Sequence, residues 1–137
     1  MDAEEYAARL DTLIENLVGL YNLIDKLFAL LPIPISIPSL WDEREGAGPS
    51  EVDDLTRPLA RARELLGDLP IDSEFRAMVD MAIVEWLGAF DTLGLADADL
   101  RTRGADADSY RLDVAWLATQ RIFKLIEGAA RHFGLDL

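Results

Sequence analysis

Apolar residues recur at helical spacing through the first part of the chain: Leu10, Leu13, Ile14, Leu17, Leu20, Tyr21, Ile24, Leu27, Phe28 and Leu31. At about 100° per residue they form one continuous stripe, which is stable only when buried against other apolar surface. A matching stripe near the other end holds Leu112, Trp116, Thr119, Phe123, Ile126, Ala130 and Phe133. Two more lie between them: a narrow one of Val52, Leu55, Leu59, Ala62 and Leu66, and a broad one of Phe75, Met78, Val79, Ala82, Ile83, Trp86, Ala89, Phe90 and Leu93. Four helices are therefore predicted, and the fold class is all-α.

Start and stop signals set their bounds. Asp2, Glu4 and Glu5 suit the positive end of a helix dipole, and Pro32 ends that helix, so the first helix is expected over about 2–31. Ser50 is a cap for a second helix ending near Gly67, with Pro58 bending it; a start at Arg57, with Pro58 in the first turn, is the alternative. The third helix opens at Asp72 or Ser73 and is expected to stop at Gly94, leaving 96–104 as an exposed connection, with or without a turn of helix, and a candidate mobile loop. The fourth runs from Asp106 or Asp108 to His132 and stops at Gly134. Pro32, Pro34 and Pro38 alternate with Ile33, Ile35 and Ile37, a pattern that forbids helix and favours an extended path across apolar surface, with Trp41 anchoring the loop beyond it. The expected architecture is an antiparallel four-helix bundle, a single domain over 1–137, with a long Pro/Ile-rich connection between its first two helices.

Composition narrows the function classes. With 26 acidic residues against 13 basic, the net charge is -13, which disfavours nucleic acid and anionic lipid as partners; the charge either steers a basic protein partner or keeps an apolar-rich chain in solution. No run approaches the roughly 18 uncharged apolar residues of a membrane span, and the acidic first residues are unlike a signal peptide, so a cytosolic protein without membrane contact is expected. Cysteine is absent, which removes disulfides, thiolate metal sites and thiol nucleophiles together.

Known helical chemistries find little purchase. A carboxylate-bridged dimetal site needs Glu-x-x-His pairs, yet the single histidine, His132, follows Ala129 at that spacing; a surface or capping role is expected for it, with no metal and no cofactor. Glu51 with Asp54, and Asp80 with Glu85, approximate the acidic pairs of an all-helical magnesium-dependent nucleotide hydrolase without reproducing a double motif. No serine sits in a nucleophile elbow, and the glycines at 46 and 48 precede no phosphate-binding lysine. Two arginine groups, Arg57, Arg61 and Arg63, and Arg101, Arg103 and Arg111, suit either an anionic ligand or ion pairs on a solvated face, and the second reading is favoured.

Polar residues that interrupt the stripes carry more information, because an unpaired buried polar group costs about 1–3 kcal/mol. Glu85, Thr119, Gln120 and Glu127 are of this kind, and with Trp86, Phe90, Trp116, Phe123 and Tyr21 they are candidates to line an inter-helix pocket that holds a small molecule or supports acid–base chemistry. The competing reading puts the Thr119 hydroxyl on a carbonyl one turn earlier and pairs the carboxylates with Arg121, Lys124 or Arg131. Asn16 is a candidate for a buried register-setting asparagine. Apolar residues off the stripes, Val18, Leu23, Leu30, Met81, Val84, Leu87, Val114, Leu117 and Leu125, exceed what one bundle buries. The first expectation is therefore a non-enzymatic bundle that binds another protein, as an immunity, antitoxin or adaptor component does, or pairs with itself as a homodimer; Trp41, Ile35, Ile37, Leu23, Leu30 and Leu125 are the candidate contacts. The small-molecule binder or small enzyme is the alternative.

Overall fold

The structure is a computed structural model; it describes residues 1–32, 35, 37 and 49–135, the side chains of 49–55 excepted. Trp41 and Ile33 lie outside the described residues, as do the side chains of Val52 and Leu55. Among the described residues the chain is all-helical: α1 (Ala3–Ala29), α2 (Pro49–Gly67), α3 (Ser73–Arg103), a 3-10 turn (Gly104–Asp106) and α4 (Tyr110–Arg131), the helices packed against one another.

Asp2 caps α1 by accepting the Glu5 N–H at 2.8 Å, and Asp72 caps α3 by accepting that of Phe75 at 3.2 Å. The α1 stripe is buried as expected, except that Ile14 is exposed. Pro58 lies inside α2, which thus takes the longer of its two expected forms.

The third helix departs from expectation. It passes through Gly94 and continues to Arg103, so most of the connection expected at 96–104 is helical. Ala96 and Leu100 prolong the apolar stripe, with Ala96 fully buried and Leu100 packed against the core. Asp97 pairs with Arg101 and Asp99 with Arg103 one turn on. Continued burial outweighs one exposed helical glycine, whose cost is about 1 kcal/mol. Gly104 is the true stop, with the positive φ of 56° that suits glycine.

The register of the helices follows from individual contacts. The Tyr6 hydroxyl at the start of α1 lies 3.2 Å from the carbonyls of Ala96 and Asp108, and the Trp86 indole N–H donates to the Leu17 carbonyl at 2.8 Å. Hence α1 runs antiparallel to α3. Glu85 with Arg121, and Phe75 with His132, set α4 antiparallel to α3 as well, so α1 and α4 run in the same direction. Arg63 of α2 pairs with Asp80, which places the end of α2 beside the beginning of α3.

The α4 stripe also needs correction. Its buried face is Leu112, Ala115, Ala118, Thr119, Ile122, Ile126, Ala129 and Ala130, whereas Trp116, Phe123 and Phe133 are exposed. Small side chains face α3, which itself presents Ala82, Ala89 and Ala96 at seven-residue intervals, and the close helix approach they permit turns the bulky aromatics toward the edge. At Gly128 the approach is tight enough that a Cβ would stand 2.9 Å from the Met78 sulfur. Asn16 is exposed, so it does not set register from within the core.

Candidate functional site

The residues singled out for an inter-helix pocket fall into two groups. Tyr21, Trp86 and Phe90 come together: the Trp86 ring lies 5.3 Å from each of the other two, tilted against Tyr21 and stacked on Phe90. Tyr21 and Trp86 are buried, and Phe90 packs against the core. Trp116 and Phe123 do not join them; they are 47% and 40% exposed. The polar members are similarly dispersed. The Glu85 carboxylate accepts two hydrogen bonds from Arg121, at 3.2 and 3.0 Å, and Glu127 accepts one from Arg131. Thr119 is buried with its hydroxyl donated to the Trp116 carbonyl at 2.6 Å, and Gln120 is exposed. These polar side chains do not converge.

Among the contacts proposed for a partner, Ile35 and Ile37 are buried at 8% and 9% exposure and belong to the core, so they do not present a docking edge. Removing these two apolar side chains from water favours that burial. Leu23 and Leu125 are half-buried against the core, and Leu30 is exposed.

One surface brings residues from both sets together. On α4, Trp116 and Phe123 are seven residues apart and so point within about 20° of each other. The Arg9–Asp113 ion pair fixes the register of α1 beside α4. Because the two helices run in parallel with the same rise, Thr12 is level with Trp116, Gly19 with Phe123 and Leu23 with Glu127. The same edge of α1 carries Leu23 and, two turns on, Leu30. Gly19 of α1 is exposed, with nothing within 4 Å of where a Cβ would stand. Trp116, Phe123, Leu23 and Leu30 thus lie along the side that α1 and α4 share. Comparison of the chain with protein-family models, with curated proteins and with solved structures finds no match.

The opposite side of α4 is apolar too. Met81, Val84 and Leu95 of α3 and Val114 and Leu117 of α4 are all exposed on the side of the seam where Glu85 meets Arg121. The sequence pattern points to neither Leu95 nor Gly19. Leu95 lay beyond the expected end of the third helix, and a lone glycine inside a helical pattern gives no sign of what stands beside it.

A cavity of about 300 Å³ at the α2–α3 turn is lined by Arg63, Leu66, Gly67, Ser73, Arg76, Ala77 and Asp80. Arg63 pairs there with Asp80, and Arg76 donates from Nη2 to the carbonyls of Leu69 and Ile71, while its Nε is buried without a hydrogen-bond partner. At the other turn, Asp99 accepts the Asp108 N–H at 2.8 Å and pairs with Arg103 and Arg111. Those arginines, with Arg63 and Arg101, are held in ion pairs. Burial, with the Asp99 carboxylate nearby as a lesser cause, raises the Tyr6 hydroxyl above its ordinary pKa of 10.0.

Proposed function

We propose that this chain acts by binding another protein, in the manner of an immunity, antitoxin or adaptor component, and that it docks through the α1–α4 edge. The observation that carries the reading is the exposure of Trp116 and Phe123 on one side of α4, with Leu23 and Leu30 on the adjoining helix. Large aromatics dominate binding energy where they become fully desolvated in an interface. Net charge of -13 favours a partner whose apolar patch is rimmed by basic groups, and it opposes a second copy of the chain. A ligand held between helices draws no comparable support, because Glu85 and Glu127 are each tied to an arginine.

The test uses two variants that spare the core. Phe123→Asp removes an aromatic anchor, and Gly19→Lys places a long charged side chain level with it where no atom is displaced. The tagged wild-type protein is expected to capture a partner from its source cells, and each variant to bind that purified partner at least tenfold more weakly with unchanged helix content by circular dichroism. Leu117→Asp, on the far side of α4, should bind as wild type. Undiminished binding by both edge variants would sink the assignment of the surface; a homodimer that they dissolve, seen by sedimentation, would make the partner a second copy.

A further inference from the structure

The antiparallel register of α3 and α4 brings the first turn of one helix to the last turn of the other, and there Asp72, Glu74 and His132 meet. One potential donor atom from each lies within 4.8 Å of those of the others. Sixty positions separate Asp72 from His132, so no spacing in the sequence announces the trio. His132 directs Nδ1 to an Asp72 carboxylate oxygen at 3.4 Å, and the edge-on ring of Phe75, 6.0 Å away, walls one side of the imidazole.

We propose that Asp72, Glu74 and His132 bind a single divalent ion of the zinc class, independently of the docking edge. Two ligand atoms on one tetrahedral zinc, each about 2.0–2.2 Å from the metal, stand about 3.4 Å apart, which is the separation that Asp72 and His132 already have. Glu74 closes the remaining distance by rotating a flexible side chain on an exposed first turn. Three protein ligands leave the fourth position for water. An imidazole among the donors suits zinc, nickel or copper, whereas magnesium and calcium prefer oxygen alone.

Charge provides a separate argument. Neighbouring carboxylates at the helix seams face arginines: Asp80 faces Arg63, Glu85 faces Arg121, and Asp99 faces Arg103 and Arg111. Among the described residues no ion pair joins Asp72 or Glu74 to a lysine or arginine; Asp72 caps α3 and faces His132. His132 is also the C-cap of α4, where the negative end of the helix dipole favours a cation. A bound ion would pin the end of α4 to the beginning of α3.

Calorimetric titration of the untagged, chelator-treated full chain with zinc chloride tests this. One equivalent is expected to bind, with amide NMR shifts confined to about 72–75 and 129–134. His132→Gln and Asp72→Asn should each weaken binding at least tenfold; asparagine keeps the helix cap, so the second variant isolates the ligand role. Magnesium chloride should produce neither heat nor shifts. Absence of saturable zinc binding, equal binding by both variants, or displacement of zinc by equimolar magnesium would overturn the proposal.

Discussion

Single side chains secure this bundle at a few buried polar points. Tyr6 sits where three segments meet, its hydroxyl in reach of the Ala96 and Asp108 carbonyls. Tyr6→Phe leaves two acceptors without that donor and should lower stability by about 1 kcal/mol in urea denaturation at neutral pH. The pH dependence follows from its raised pKa. Because the folded state disfavours the phenolate, Tyr6 contributes stability that is complete below the unfolded pKa near 10.0 and is lost as the pH rises past it toward the folded value. Denaturation series at pH 8 and above 10 should therefore show a steeper alkaline loss in the wild type than in Tyr6→Phe; parallel losses would remove Tyr6 as the cause. Trp86 is legible in the sequence as a core residue, but its indole bond to the Leu17 carbonyl is not, since that bond depends on where α1 crosses α3.

At the scale of elements, glycine and alanine decide more than the large apolar residues do. Gly94 lies inside α3, and nothing stands within 4 Å of a Cβ there. Gly94→Ala should raise stability by about 0.5–1 kcal/mol, read from the thermal midpoint, whereas destabilisation would show that the backbone at 94 needs glycine. Ala89 is buried on the α3 stripe between Ala82 and Ala96. Ala89→Leu should cost about 1–3 kcal/mol by forcing the helices apart, and the same measurement checks it. These positions explain the two misread elements. A glycine signals a stop only if the stripe also ends, and at 94 it does not. An alanine-lined face is weaker in hydropathy than one of tryptophan and phenylalanine, so the sequence pattern centred the α4 stripe too far toward its aromatic edge, although Leu112, Thr119, Ile126 and Ala130 of that stripe are buried.

For the whole molecule, a net charge of -13 is distributed over a surface with exposed apolar ribbons on both edges of α4. Self-repulsion weakens the compact state, so adding salt from low ionic strength to about 0.2 M should raise the unfolding midpoint, while association with a basic partner slows as the same screening sets in. A midpoint that falls with salt would mean that the surface ion pairs outweigh the net charge. The sequence by itself determined the number of helices, the starts of α1 and α3, the buried faces of those two helices, and an excess of apolar residues over what one core absorbs. Those are local properties, written in spacing and in cap chemistry that act within a turn or two. Tertiary structure alone decided which excess residues share a surface, that Ile35 and Ile37 are buried, and that Asp72 and Glu74 meet His132. Each of these depends on helix direction and register, which arise from contacts such as Trp86 with Leu17 and Glu85 with Arg121 between residues far apart in the chain.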